Sequence, residues 1–217
     1  DDAEFKAAVG GYYAEVADLA RTLFRGFALA LDLPETYFEA YLKKPPSQLR
    51  LIHYPFAPDA PADEPGIGAH TDYECFTILW PTAPGLEVMN GAGEWIDAPP
   101  IDGGFVINIG DMMEAWTNGT FVATSHRVRK VKEERYSFPY FAACDYHTLV
   151  KPLPQFVSPG EKPKFEPLVA GDHLLAQTAQ TFQYLKKRID AGTFKLPESA
   201  RKLSSFGQEA IHASTDR

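Results

Sequence analysis

Ile67-Gly68-Ala69-His70-Thr71-Asp72-Tyr73-Glu74-Cys75-Phe76-Thr77-Ile78-Leu79-Trp80 is the stretch on which the fold turns. It holds two short runs, 67–72 and 75–80, rich in β-forming residues and separated by a polar break, which predicts two strands. Side chains at i and i+2 of a strand share a face, so His70 and Asp72 present an imidazole and a carboxylate together. The same texture continues on both sides, with further candidate strands at 48–55, 85–90, 94–97, 104–109, 121–130 and 134–143. Asn90-Gly91 and Asn118-Gly119 are tight-turn signals. Asp111 to Thr117 fits one helical turn between strands. About eight short strands at regular spacing predict a sandwich or barrel-like jelly roll.

The flanks read as helix. Phe5, Val9, Tyr13, Val16, Leu19, Leu23 and Phe27 recur at three- or four-residue steps, predicting an amphipathic helix over 5–31. Leu33-Pro34-Glu35 marks a stop and restart, since proline suits the first turn of a helix. A short helix over 35–43 then ends at Lys43-Lys44-Pro45-Pro46. Residues 144–170 read as a wrapping loop rich in Pro and charge. Helical character returns over 172–190 with Leu174, Leu175, Phe182 and Leu185, and 191–217 reads as a polar tail. The expected architecture is mainly β with flanking α-helices. A single domain is expected over 1–217, with a helical flank at 1–45, a jelly-roll core at 46–143, and a loop, C-terminal helix and tail at 144–217.

Composition narrows the function classes. The chain has 217 residues, 45% hydrophobic and 13% aromatic, enough to bury a full core. A formal charge of −8 argues against a nucleic-acid surface and against electrostatic attachment to anionic lipid. No apolar run is long enough to span a bilayer. Asp1-Asp2-Ala3-Glu4 lacks the basic start of a secretion signal. Cys75 and Cys144 lie far apart without metal-pair spacing, so both read as buried thiols in a reduced, cytoplasmic setting. The expected partner is a small-molecule substrate, with no nucleic acid, membrane or protein partner indicated.

The chemistry-bearing residues extend the first stretch. His126, in Thr124-Ser125-His126-Arg127-Val128, lies 56 residues after His70 in a separate candidate strand. One strand cannot surround an ion, so His126 supplies a third ligand from elsewhere. Two imidazoles and one carboxylate form the facial set that holds Fe(II) and leaves positions open for substrate and O2. The plainer alternative is a pair of satisfied core histidines. Nine residues past His126 come Arg135 and Ser137, on one strand face. A guanidinium makes two parallel bonds to a carboxylate and the hydroxyl adds a third donor. The competing reading is a surface salt bridge, since Lys130, Lys132, Glu133 and Glu134 are adjacent. Tyr54, in Leu51-Ile52-His53-Tyr54-Pro55, is a candidate donor to the same anion, while His53 faces oppositely and reads as structural. Phe141 shares parity with Arg135 and Ser137, which makes it a candidate substrate contact. Phe76 is another, with the same ambiguity between cavity and core that attaches to Trp116, Met112 and Met113. His147, His173 and His212 have no partner spacing and read as surface or loop residues. Arg127 to Lys132 reads as a solvated strand face.

Seven ordered pieces carry a resemblance: Gly68-Ala69-His70-Thr71-Asp72, Gly85-Leu86-Glu87-Val88, Gly93-Glu94-Trp95-Ile96, Val106-Ile107-Asn108-Ile109-Gly110-Asp111, Trp116-Thr117-Asn118-Gly119, Ser125-His126-Arg127-Val128 and Arg135-Tyr136-Ser137. From about Tyr12 to Leu185 the chain resembles the isopenicillin N synthase-like branch of the Fe(II)/2-oxoglutarate-dependent oxygenases. The resemblance implies a double-stranded β-helix, or jelly roll. It implies His70, Asp72 and His126 as iron ligands, Arg135 and Ser137 on the distal carboxylate of 2-oxoglutarate, and Tyr54 near that cosubstrate. It also implies hydroxylation, desaturation or ring closure of a small molecule using Fe(II), 2-oxoglutarate and O2, with release of succinate and CO2. Two alternatives share the fold: an Fe(II)/O2 oxidase that does not use 2-oxoglutarate, and a non-catalytic metal-binding jelly roll. The chain departs from the family at Leu51-Ile52-His53-Tyr54-Pro55, where many relatives have Asn-x-Tyr-Tyr-Pro. It also starts almost inside the long helix, where family members carry a preceding segment.

Overall fold

The computed structural model describes residues 2–56, 58, 65–129 and 133–197. Two antiparallel sheets form its centre. The first contains β1 (Gln48–Leu49), β2 (Ile52–Tyr54), β4 (Phe76–Pro81), β7 (Val106–Ile109) and β9 (Arg135–Ala142), in the order β1-β9-β4-β7 with β2 also on β9. The second runs β3 (Pro65–His70), β8 (His126–Arg129), β5 (Leu86–Met89) and β6 (Trp95–Asp97), in the order β3-β8-β5-β6. Leu79 and Val106 of the first sheet meet Leu86 and Val128 of the second, so the inner faces share a small apolar core. The result is a two-sheet jelly roll without closure into a barrel. The segment predicted as a single strand over 48–55 breaks at Arg50-Leu51, and the strand predicted over 121–130 begins only at His126.

Alternation along β4 and β9 divides the first sheet into two chemistries. Phe76, Ile78, Tyr140 and Ala142 point outward and are buried beneath α1 (Asp2–Ala30). That helix answers with Val16, Ala20, Phe24 and Ala28, a stripe at four-residue steps. Each large apolar side chain removed from water here contributes about 1.5–3 kcal/mol. Thr77, Leu79, Ser137, Pro139 and Phe141 occupy the opposite face and line a cavity between the sheets.

This parity corrects one expectation. Phe76 is fully buried against Phe24 and Phe27, with ring centroids 4.7 and 5.0 Å away, and has no place in the cavity. Being adjacent to Thr77, it must face α1. Trp116, Met112 and Met113 are likewise core residues.

α1 stops at Ala30, Asp32 turns the chain with a φ of 54°, and the second predicted helix is a short 3-10 turn over Tyr37–Tyr41. The stretch read as loop over 144–170 contains a small hairpin, β10 (Leu149–Val150) with β11 (Leu168–Val169), and another 3-10 turn. A short helix, α2 (Asp111–Trp116), fills the turn expected between strands. The C-terminal helix is two helices, α3 (Ala170–Thr181) and α4 (Gln183–Asp190), broken at Phe182. Cys75 and Cys144 are buried free thiols, and burial pushes Cys75 well above its ordinary pKa, with Cys144 adding to the rise. Among the described residues no helix is long and apolar enough to cross a membrane.

Candidate active site

His70 closes β3 and His126 opens β8, and the two stand opposite each other in the ladder. Their strands are direct neighbours, so pairing within one sheet brings the two imidazoles together. Both Nδ1 atoms sit on local carbonyls, 2.8 Å from Gly68 O for His70 and 3.0 Å from Thr124 O for His126. A carbonyl only accepts, so the matching tautomer carries its proton on Nδ1 and leaves the Nε2 lone pair free. Asp72 lies two residues beyond β3. Its Oδ2 accepts from the Thr77 hydroxyl and, at 2.8 Å, from Asn108 Nδ2. Those donors come from β4 and β7, so the aspartate is held by the sheet facing its own.

Oδ1 is thereby turned toward the imidazoles, 3.7 Å from His70 Nε2 and 3.6 Å from His126 Nε2. One ligand atom from each residue lies within 4.8 Å of the others, a group able to hold a metal ion. Burial, and secondarily His126, push the His70 pKa below the usual imidazole value against the pull of Asp72. That keeps it in the neutral form a metal requires. Thr77 and Asn108 escaped the sequence reading. The available signal was a polar residue amid each apolar strand run.

The cavity holds about 460 Å³ and reaches from His70 to Arg135. Arg135 is fully buried. Its Nε donates to Ala83 O at 3.1 Å, and its guanidinium lies 4.7 Å from the centre of the Tyr54 ring. Nη1 and Nη2 have no hydrogen-bond partner among the described residues. Burying a cation with two donors idle is costly, so the site demands an anion. Ser137, buried on the same strand face, and Tyr54 complete the polar end of the cavity. Burial raises the Tyr54 pKa, which the charge of Arg135 partly offsets, so the phenol stays a donor. Arg135 therefore belongs to the interior, and the surface salt-bridge alternative fails. The donor set fits a dicarboxylic cosubstrate whose far end meets the guanidinium.

Phe141 lines the cavity, together with Arg50 and Glu74, which the sequence reading left aside. His53 points outward, pairs with Glu134 at 2.6 Å and stacks on Tyr136. His147 is exposed, while His212, Lys130 and Lys132 lie outside the described residues. His173 contradicts its expected surface place. It is fully buried, with Nε2 3.2 Å from Asp111 Oδ2. Asp111 in turn donates its backbone N–H to Asp72 O, so the pair sits directly behind that aspartate. Their separation of 62 residues gave no local signal. Arg127 and Arg129 pair with Glu87 and Asp97 across the second sheet.

Fold and site together define a class: a jelly roll with a His-Asp-His group sharing a cavity with a buried arginine that has no ion pair among the described residues. Residues 45–143 match the model of the 2OG-Fe(II) oxygenase superfamily. The chain is 34% identical over 209 residues to the 2-oxoglutarate-Fe(II) type oxidoreductase hxnY of Emericella nidulans, covering 93% of this chain and 58% of that protein. It is 37% identical over 187 residues to the homoarginine-6-hydroxylase 2-ODD-233 of Oryza sativa subsp. japonica, covering 82% of this chain and 57% of the relative. A full-length Neurospora crassa protein, solved in complex with alpha-KG and thymine, superposes with a TM-score of 0.77 at 28% identity, over 82% of this chain and 57% of that one. The protein belongs to the 2OG-Fe(II) oxygenase superfamily. It spans a little over half the length of the curated relatives it matches.

Proposed function

We propose that this protein is a non-haem Fe(II)- and 2-oxoglutarate-dependent oxygenase acting on a small molecule. His70, Asp72 and His126 hold the iron. Arg135, Ser137 and Tyr54 hold the distal carboxylate of 2-oxoglutarate. One observation carries the reading: a three-ligand group and a buried guanidinium with two idle donors open onto one cavity. When bound, Fe(II) with 2-oxoglutarate and O2 supplies the oxidation, in which the oxo acid becomes succinate and CO2 as substrate is hydroxylated, desaturated or cyclised.

The chain's own residues do the rest. Gly68 and Thr124 carbonyls fix the imidazole tautomers, and Thr77 and Asn108 fix the carboxylate. The two sheets exclude water from the anion end of the cavity, which strengthens the grip of Arg135. A volume of about 460 Å³ suits a small molecule beside the cosubstrate, and the similar Neurospora crassa structure with thymine agrees with that size class. Two buried free thiols support a reducing, cytoplasmic setting.

The test has two parts. Anaerobic addition of Fe(II) and 2-oxoglutarate is expected to give a visible metal-to-ligand charge-transfer band. A substrate screen under air is expected to release one succinate per product. A band without any succinate release would reduce the protein to a metal-binding module. Product without succinate would make it an oxidase that does not use 2-oxoglutarate.

A further inference from the structure

Gly110 and Asp111 close one of the sequence motifs of the chain, yet neither lines the cavity. Their backbone instead meets the turn that carries Asp72. Gly110 N–H donates to Cys75 O at 3.0 Å, Asp111 N–H to Asp72 O at 2.9 Å and Met112 N–H to Glu74 O at 3.2 Å. Three successive donors that a helix start leaves unpaired thus grip three carbonyls of residues 72–75. Asn108, two residues earlier, donates from Nδ2 to Asp72 Oδ2 at 2.8 Å. One segment, 108–112, therefore holds Asp72 by both its main chain and its carboxylate. The segment is itself a firm base. Asp111, Met112, Met113, Ala115 and Trp116 are buried, and Asp111 Oδ2 lies 3.2 Å from His173 Nε2 of α3. Gly110 makes the seating possible. Its φ of −111° suits any residue, so space and not backbone conformation calls for glycine. A Cβ here would collide with Glu74 O and stand 3.0 Å from the Glu74 carbonyl carbon and 3.1 Å from Asp72 O. All three are backbone atoms, so no side chain can swing aside. The turn itself would have to move, and Asp72 with it.

We propose that Gly110 and Asp111 are positioning residues of the metal group. The missing side chain at Gly110 lets the first turn of α2 seat the 72–75 backbone, and the Asp111 N–H fixes Asp72 within it. Asp72 Oδ1 has to reach both imidazoles at once, and it stands 3.7 and 3.6 Å from their Nε2 atoms. The aspartate side chain is short, so a shift of its backbone passes almost undiminished to that oxygen. His70 and His126 are set by the β3–β8 ladder, whereas Asp72 lies past the end of β3. α2 supplies the fixation that the ladder no longer gives. The inference rests on reading His70, Asp72 and His126 as iron ligands and deepens it by naming what holds the carboxylate in place.

The test titrates the whole metal-free chain with Fe(II) under anaerobic conditions and then adds 2-oxoglutarate to read the charge-transfer band. Gly110→Ala is expected to weaken Fe(II) binding about 10- to 100-fold, the range for losing a group that orients a ligand, and to shift the band. Asp111→Pro and Asp111→Ala form the second arm, and both lose the pair with His173. Proline is welcome at the first helical position, and Gly110 already has the extended backbone that a proline asks of its predecessor. Its ring, however, stands where the N–H met Asp72 O. Asp111→Pro should therefore bind Fe(II) about tenfold or more weakly than Asp111→Ala. Val16→Ala, in the buried stripe of α1, controls for lost stability: it should unfold at lower urea yet keep its Fe(II) affinity. Where Gly110→Ala does not fold, the two Asp111 variants decide. Wild-type affinity and band in Gly110→Ala, equal affinities in the two Asp111 variants, or an affinity loss in Val16→Ala as large as in Gly110→Ala would each overturn the proposal. So would failure of both Gly110→Ala and Asp111→Pro to fold, which would assign the two residues to stability alone. A wild-type chain that binds no Fe(II) would instead strike the oxygenase reading itself.

Discussion

Replacing Arg135 with Met should separate two quantities that usually fall together. The guanidinium is fully buried, spends Nε on Ala83 O and keeps Nη1 and Nη2 idle. In the cosubstrate complex those two donors would meet a carboxylate. Removing one partner of a buried, hydrogen-bonded charge pair costs about 3–5 kcal/mol. At about 1.4 kcal/mol per decade, 2-oxoglutarate should bind roughly a hundred- to a few thousand-fold more weakly. The cosubstrate-free protein should behave differently. It loses an unpaired buried cation and gains an apolar side chain of similar length, an exchange that is about neutral or stabilising. Titration of the anaerobic Fe(II) protein gives the first quantity, and urea unfolding without cosubstrate gives the second. The affinity loss should also resist added salt, because a buried pair is screened little. A change in 2-oxoglutarate affinity below about threefold would refute the clamp. Collapse of the cosubstrate-free variant would show that Arg135 is a structural residue with an internal partner.

Three further outcomes are expected. Asn108→Ala removes a donor from Asp72 Oδ2 and should weaken Fe(II) binding by about 10- to 100-fold, read by anaerobic metal titration; unchanged affinity would mean that the aspartate needs no support from β7. His173→Ala leaves Asp111 without its buried partner and should cost about 1–3 kcal/mol in urea unfolding, and no loss would show the pair to be energetically idle. Tyr140, whose pKa burial pushes up to about 12, ionises in the unfolded chain near the ordinary tyrosine value of about 10. The folded state therefore holds a proton that the unfolded state has lost, and stability should decline as pH rises from about 10 to about 12. Tyr140→Phe should flatten that part of an alkaline unfolding profile, and an identical profile would exclude Tyr140 as a source of the decline.

The parts of the molecule legible in the sequence are those set by short-range periodicity. The amphipathic period over 5–31 announces α1, although of the stripe read there only Val16 is fully buried, Leu19, Leu23 and Phe27 flank the core, and Phe5 and Tyr13 are exposed; alternation around His70 and along 135–141 places His70 with Asp72 and Arg135 with Ser137 and Phe141. Alternation also contained the answer for Phe76, since its neighbour Thr77 is the residue that reaches Asp72. Which of the two faced the cavity depended on where α1 packs, and that is a tertiary fact. Long-range pairings left no trace in spacing. His173 meets Asp111 through the packing of α3 behind the site, and Arg50 and Glu74 share a cavity only once β1 and the turn after β3 are brought together. The breaks at Arg50-Leu51 and Phe182 are further cases, because propensity favours continuity at both positions.

The most direct measurement is the iron position itself, from anomalous scattering of an anaerobically grown crystal containing Fe(II) and 2-oxoglutarate. The expected map has one strong peak bonded to His70 Nε2, Asp72 Oδ1 and His126 Nε2, with the far carboxylate of the oxo acid on Arg135 Nη1 and Nη2. Iron located elsewhere, or 2-oxoglutarate bound with Arg135 still idle, would contradict the account.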